Sequence, residues 1–531
     1  MDKPRGTATR LILLAVLTIA VSYFFVSDLI LSKVDLGFPL DDSWIHYVFS
    51  RNAASGEIFT YNPHERVIGS TSPLWVSLLV PAFLLSKSHA FNIWWGIILG
   101  AAFHFLMGLL IFFTLRKFDE TLAFLVALCA ITTSRLVWVS LSGMETSLFY
   151  LWCLLSWAIA ARVKETKSHA VLLGIVLALT VYARPEGYLL AALVVLWLFV
   201  RLDEGKLAFD YKTSLVAGLT FLLLISPYIV GSYLTWGHPL PTTFYTKRLI
   251  ISSHAILGDW LRATFVDFWD DNFVMVLAAL YGIYVILTGR AGDKKFGLAF
   301  LWTISLIVAQ SYISNLRFHH GRYQMPVIPF LWVLAGFGLA ELRKKFEERK
   351  LRFFGVAARH IPALLLIIAI ANNVGDLSIW RNIYVENVES VNTLNVNMAR
   401  YIRDNVPRYA TVAVNDAGAI RYFGDHNILD LMGIVSPKVI LLAHEKQVKP
   451  YHAAYVYQMA QLMLNTRDVD YACVFGGWFP FANFFPEAFV AIYSTTASSI
   501  DEPSVKATKI LYWIDKPRLK EYLESHASEE K

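Results

Sequence analysis

The chain has 531 residues, 56% hydrophobic and 15% aromatic, with only 17% charged and a mean hydropathy of +0.49. That balance leaves too little polar surface for a soluble globular protein. The net charge of +6 is carried between apolar segments, so it reads as membrane topology and not as a nucleic-acid footprint.

Three cysteines, Cys129, Cys153 and Cys473, form no CxxC pair, which argues against a zinc site or a disulfide framework. The first apolar stretch, Leu11 to Leu31, is too long for a signal-peptide core and has no small-residue cleavage site. It reads as a retained transmembrane helix. Further apolar segments give helices over 92–115, 119–138, 146–162, 169–183, 187–202, 213–235, 272–289, 296–314, 325–342 and 360–374, about eleven in all. The run from Leu74 to Leu85 is short and opens at Pro73, so it reads as interfacial or re-entrant.

Basic flanks then fall on one side: the N-terminus, Arg116-Lys117, Arg162 to Lys167, Arg201 to Lys212, Arg290 to Lys295 and Arg343 to Arg359. By the positive-inside rule that side is cytoplasmic. The opposite side carries a first external loop, 32–91, shorter loops around Glu145, Arg184 and Arg322, a 236–271 loop and the tail. The tail mixes a helical pattern from Val391 to Asn405 with strand patterns at Thr411 to Val414, Tyr471 to Phe475 and Lys509 to Ile514. The expected fold is mainly α, a polytopic membrane domain over 1–375 followed by an extracytoplasmic α/β domain over 376–531.

The most informative residues are Asp41 and Asp42, which lie after the first apolar segment and open an amphipathic helical pattern. One Asp is explained as an N-cap. A second beside it is not, and two neighbouring carboxylates repel, which raises one pKa toward use as a base. His46 and Arg51 occupy polar positions of the same helix and are candidates for substrate contact. Tyr61-Asn62-Pro63 is a turn that can shape the pocket below.

Glu145 reads either as a first-turn residue that complements a helix dipole or as a further acid facing the cavity. Arg184 and Glu186 flank Pro185; they are either a local ion pair or a phosphate-binding Arg with a substrate-binding Glu. Lys247, in an external loop, breaks the basic-residue trend and suits an anionic ligand, and Tyr245 beside it can stack on a sugar or a lipid. Adjacent His319 and His320 lack the spacing of helical metal ligands. Arg322 next to them suits a phosphate or an interfacial position, with His320 a candidate substrate contact.

Together these residues resemble the C-type (GT-C) membrane glycosyltransferases, which use polyprenyl-phosphate sugars. An acidic pair in the first external loop corresponds to Asp41-Asp42, and an acid opening a later loop to Glu145. Asp41-Asp42-Ser-Trp-Ile, Arg51-Asn52, Tyr61 to Pro63, Glu65-Arg66-Val67 and Thr71 to Trp75 resemble the terminal arabinofuranosyltransferases of mycobacterial cell-wall synthesis and their bacterial relatives. Arg184 to Gly187, Pro241 to Lys247, Gly321-Arg322, Asp416 to Gly418 and Asp430-Leu431 resemble later motifs of that group.

The resemblance implies inverting transfer of a sugar, arabinofuranose or another pentose or hexose, from a polyprenyl-phosphate donor to an envelope glycan or glycolipid. It places the enzyme in the bacterial inner membrane, working on the extracytoplasmic face. Asp41 would deprotonate the acceptor, Asp42 and Glu145 would position substrates, and Arg184, Arg322 or Lys247 would meet the leaving phosphate. A divalent cation serves some enzymes of this fold at the acidic pair, but no ligand set for one is evident in this sequence. The competing reading is a lipid-linked sugar transporter or flippase, which calls for charges near the bilayer midplane on broken helices.

Overall fold

The computed structural model describes residues 3–162, 166–203, 206–209, 211–250, 257–289, 295–313, 318–353, 356–450, 452–500 and 504–529. Each of the eleven apolar segments overlaps a helix, although the end of 187–202 enters the strand Val200–Asp203 and residue 314 lies outside the described residues, and the chain is a multi-pass membrane protein. Among the described residues, six helices are long and apolar enough to cross a bilayer. A seventh span results if Glu120–Thr132 and Ser134–Ser140, bent by 59°, count as one. Thr146–Ala160, Lys167–Ala183, Gly187–Phe199 and Pro73–Leu85 are shorter apolar helices. Pro73–Leu85 has 13 residues, or about 20 Å, well short of a hydrocarbon core of about 30 Å.

The chain forms two compact units. The first comprises residues 1–30, 96–227 and 254–384. Its centre is the helix Ile328–Glu348, whose residues 328–339 are all buried. Small residues let this helix approach Leu257–Leu287 closely. A Cβ on Gly338 would lie 2.7 Å from the Ala278 carbonyl oxygen, and one on Gly282 would strike that of Leu334. Packing through small residues suits lipid, where apolar side chains gain little by leaving hydrocarbon.

The helix expected over 272–289 begins at Leu257. Asp267, Asp270 and Asp271 hide its first turns from a hydropathy reading, and the backbone breaks at Asn272 (φ −170°, ψ 95°). The Asn272 side chain offsets that break, donating to Asn373 Oδ1 (2.6 Å) and the Ala369 carbonyl (2.8 Å).

The second unit comprises residues 31–95, 228–253 and 385–531. Its core is a five-stranded sheet in the order Ile428–Asp430, Thr411–Val414, Val469–Phe475, Lys506–Ile514, Phe489–Ser498. The first three strands are parallel and the last two pair antiparallel. Parallel neighbours need crossovers. The helix Gly418–Gly424 makes the first, and Pro437–Glu445 with Ala453–Asn465 the second. Val456, Met459 and Met463 pack with Leu429, Ala472, Val474 and Tyr512 of the sheet in one core.

Residues of the first loop build two more helices of this unit, Asp42–Ala54 and Pro73–Leu85. Trp44 is fully buried, its ring 4.9 Å from that of Tyr422, 4.7 Å from Phe423 and 5.0 Å from Phe38. The side chain of Asn62 closes the edge of the sheet: it donates to the Ile428 carbonyl (2.9 Å) and accepts from the Ile428 amide (3.0 Å).

Candidate active site

In the second unit, Asp41 stands at the start of the helix Asp42–Ala54 but does not cap it. Its carboxylate reaches the N-terminus of a different helix. Oδ2 accepts from the Gly418 amide at 2.8 Å, and Oδ1 accepts from the Ala419 amide at 2.9 Å and from Asn395 Nδ2 at 2.9 Å. A helix N-terminus offers unsatisfied amides and partial positive charge, which suits a carboxylate. Gly418 is required for the approach, because a Cβ there would run into the carbonyl and carboxylate of Asp41.

A buried cation completes this cluster. Lys509 lies in the strand Lys506–Ile514 with its side chain 0% exposed, and Nζ is 2.7 Å from Asp416 Oδ2. It also donates to Asn395 Oδ1 and sits 4.4 Å from the centre of the Phe475 ring. Asn395 therefore joins Lys509 to Asp41 with one amide group. It belongs to a single π-helical turn, Asn392–Val396, in an otherwise α-helical run. Such turns are rare and concentrate at functional sites.

The charge balance of the cluster is two carboxylates to one ammonium. Burial pushes the pKa of Asp41 up, the charge of Asp416 adds to it, and Lys509 with the two amides opposes it. The outcome is a carboxyl that titrates at about 7 instead of 3.8. A carboxylate has about four acceptor positions, and the described residues fill three of Asp41's. What results is an oriented group that can take a proton near neutral pH.

Asp42 follows in the first turn of its helix and is half-buried. Tyr61 donates its hydroxyl to the Ala417 carbonyl at 2.8 Å, so it fixes the same helix start that Asp41 binds. Burial and the nearby Asp41 hold its phenol well above the ordinary value. His46 Nδ1 lies 3.1 Å from the Ser70 hydroxyl, and Arg51 donates to the Tyr422 carbonyl at 3.0 Å. Both brace the loop against its own unit. Tyr245, in the helix Thr242–Ile250, packs its ring 5.0 Å from Trp236 and 4.9 Å from His238. The side chain of Lys247 lies outside the described residues.

The first unit gathers Glu145, Arg184 and Glu186. Arg184 follows the helix Lys167–Ala183 and is buried. Its guanidinium reaches Glu145 Oε1 at 2.6 Å and Glu186 Oε1 at 2.7 Å. Glu186 also accepts from Gln310 at 3.0 Å. Burial works against the charge of Arg184, but Glu186 and Glu145 outweigh it, and its pKa is raised. Glu145 stands at the N-terminus of Thr146–Ala160 without capping it through its side chain. The Tyr323 ring lies 5.4 Å from the Arg184 guanidinium and 5.0 Å from that of Arg322, which is itself buried. The His320 ring sits 5.0 Å from Trp138 and 5.6 Å from Trp380.

Sequence reasoning gave no role to Asn395 or Lys509, placed Asp416 only in a motif of the resemblance, and gave none to a third set in the first unit. There, buried Arg135 binds Asp271, lies 3.8 Å from Asp267 and donates to the His320 carbonyl at 3.2 Å. An arginine inside an apolar segment was the available signal for that set.

The acidic cluster is poorly suited to a metal ion. Lys509 already supplies the cation that Asp416 needs, and no group of three or more His, Cys, Asp or Glu side chains among the described residues can hold one.

Comparison with known proteins agrees with this architecture. Residues 381–511 match a family described as a domain of unknown function (DUF8728), a span that contains Asn395, Asp416, Gly418 and Lys509. No curated protein matches the sequence. Among solved structures, ArnT from Cupriavidus metallidurans bound to undecaprenyl phosphate superposes with a TM-score of 0.61 at 12% identity, over 94% of this chain and 97% of that one. AglB from Archaeoglobus fulgidus, an oligosaccharyltransferase in complex with an inhibitory peptide and a dolichol-phosphate, gives 0.56 at 14%, over 93% and 73%. Mycobacterial AftD, an arabinofuranosyltransferase, gives 0.48 at 12%, over 95% and 40%. The chain has the fold of the C-type glycosyltransferases.

Proposed function

We propose that this chain is an inverting glycosyltransferase that moves a sugar from a polyprenyl-phosphate donor to a hydroxyl of an envelope glycan or glycolipid on the extracytoplasmic face. The observation that carries this reading is Asp41, a carboxylate fixed by three hydrogen bonds and titrating at about 7. A general base works best with a pKa near the operating pH and a fixed direction.

Asp41 takes the proton of the acceptor hydroxyl as that oxygen attacks the anomeric carbon. The bond from that carbon to the phosphate oxygen breaks, and the polyprenyl phosphate leaves with the electron pair. A single displacement inverts the anomeric configuration. Asp42 orients the acceptor beside Asp41. Lys247 meets the charge on the departing phosphate, as cations do in phosphate recognition. Arg184 is already shared by two carboxylates, which suits it to hold Glu145 and Glu186 in place. The sugar is arabinofuranose or another pentose or hexose, and the membrane is the bacterial inner membrane.

The test uses purified full-length protein in detergent or nanodiscs, with a panel of polyprenyl-phosphate sugars and envelope glycan acceptors. Transfer with inversion, read by NMR, that is lost in folded Asp41→Asn supports the reading. Transfer with retention, or transfer indifferent to Asp41 and Asp42, overturns it. Movement of lipid-linked sugar between leaflets without transfer would replace it by a transporter.

A further inference from the structure

We propose that Asp416 and Lys509, bridged by Asn395, are positioning residues through which the C-terminal domain sets the charge state of the catalytic carboxylate Asp41. This rests on the reading of Asp41 as the base.

A lysine with no exposed side-chain surface is costly to bury, and it is kept only where partners satisfy it. Both polar partners of Lys509 lead to Asp41. Asp416 takes its charge at 2.7 Å, and Asn395 takes one hydrogen bond from Lys509 and gives another to Asp41 at 2.9 Å. Asp416 belongs to the turn Asn415-Asp416-Ala417-Gly418, the far end of which supplies the amide that binds Asp41 Oδ2. One short segment thus brings both a repelling charge and an attracting dipole to the same carboxylate. A purely structural staple needs the dipole alone.

The other titratable groups around Asp41 leave these charges in control. Asp42 is its chain neighbour and half-exposed. Tyr61 and Cys473 also sense the charge of Asp41. Both are held neutral by burial, Tyr61 well above its ordinary value and Cys473 at about 12. Arg421 binds the Tyr61 carbonyl at 3.3 Å and lies 3.5 Å from Asp425, which ties its charge to the far side of the loop. The arrangement makes a signed prediction. Removing Asp416 takes away repulsion and leaves Lys509 to Asp41, so Asp41 ionises at lower pH. Removing Lys509 takes away attraction, so Asp41 ionises at higher pH.

The experiment is the pH profile of kcat/KM for the full chain and for Asp416→Asn, Lys509→Met and Lys509→Arg. The acid-limb midpoint is expected to fall by about one pH unit in Asp416→Asn and to rise by about one in Lys509→Met. It should stay with the parent in Lys509→Arg. A structural role would lower the amplitude of all profiles and leave the midpoints in place, and that result overturns the inference, as do shifts of one common sign. Should Lys509→Met not fold, Asp416→Asn decides alone: a downward shift supports the inference and a fixed midpoint overturns it.

Infrared titration of the Asp41 carboxyl band, assigned by its loss in Asp41→Asn, reads the same midpoints without turnover. If the parent transfers no sugar, the proposed activity fails, and this titration still decides whether Asp416 and Lys509 control Asp41.

Discussion

Two clusters in this protein have the same charge count, two carboxylates and one cation, and opposite chemistry. In the first unit, Arg184 presents a planar fork and grips Glu145 and Glu186 at 2.6 and 2.7 Å. In the second, Lys509 is a point charge that reaches Asp416 at 2.7 Å and touches Asp41 only through Asn395. The fork ties both of its carboxylates to the cation. The point charge leaves the second carboxylate to backbone amides, and that carboxylate is the one lifted to about 7. The two clusters differ in how the cation is shared, not in the number of charges.

The sharpest way to break this comparison is Asp41→Asn. Loss of a general base costs about 10²–10⁴-fold in rate, so kcat for transfer should fall by that factor while the protein remains folded by circular dichroism. A variant that unfolds instead would make Asp41 a strut.

Arg184→Ala tests the other half. It strands two buried carboxylates and is expected to cost about 3–5 kcal/mol of stability, measured by denaturation in mild detergent. Arg184→Lys should recover only a minor part, because one ammonium cannot span both acids. Full recovery by lysine would erase the distinction between fork and point charge.

The pH dependence of stability sharpens the same point. Asp41 titrates at about 7 in the folded chain against an ordinary 3.8, so between those values the folded state holds a proton that the unfolded state has lost. Its contribution is complete below pH 3.8 and disappears as pH rises through about 7. Asp430, lifted to about 6 by burial against the pull of backbone amides, acts with the same sign over a narrower window. Melting temperature should therefore decline across this range, and Asp41→Asn should flatten the decline while Asp430's share persists.

The smallest expected effect is at Asn62. Asn62→Ala leaves the amide and carbonyl of Ile428 without their side-chain partner, which should cost about 1–3 kcal/mol in the same denaturation measurement.

Much of this fold was legible along the chain because its signals are local. A run of apolar residues declares a helix by itself, and each of the eleven runs overlaps a helix among the described residues. The helix after Asp41-Asp42 was readable from Trp44, Ile45, Val48 and Phe49, and the strand containing Tyr471 to Phe475 from its β-branched and aromatic residues. The helix start at Leu257 was not legible, since its acids resemble a loop until Arg135 is known to bind Asp271.

The site was legible only in part, for the same reason. Asp41-Asp42 advertised itself as a costly pair. The partners of Asp41 lie 354, 377 and 378 residues away. Lys509 opened a pattern that looked like any strand, and a π turn at Asn392–Val396 has no signature in composition.

The joining of the first loop to the tail has a consequence for the order in which the protein is made. Asp41 leaves the ribosome 377 residues before Gly418, a gap of roughly 20–75 s at 5–20 residues per second. Through that interval the loop has its carboxylates and its Trp44 but not the helix start, the lysine or the sheet edge that complete them. Asp41 therefore gains its full surroundings only when the strand carrying Lys509 has been made. A chain that stops before that strand carries Asp41 without the lysine that binds Asp416 and Asn395.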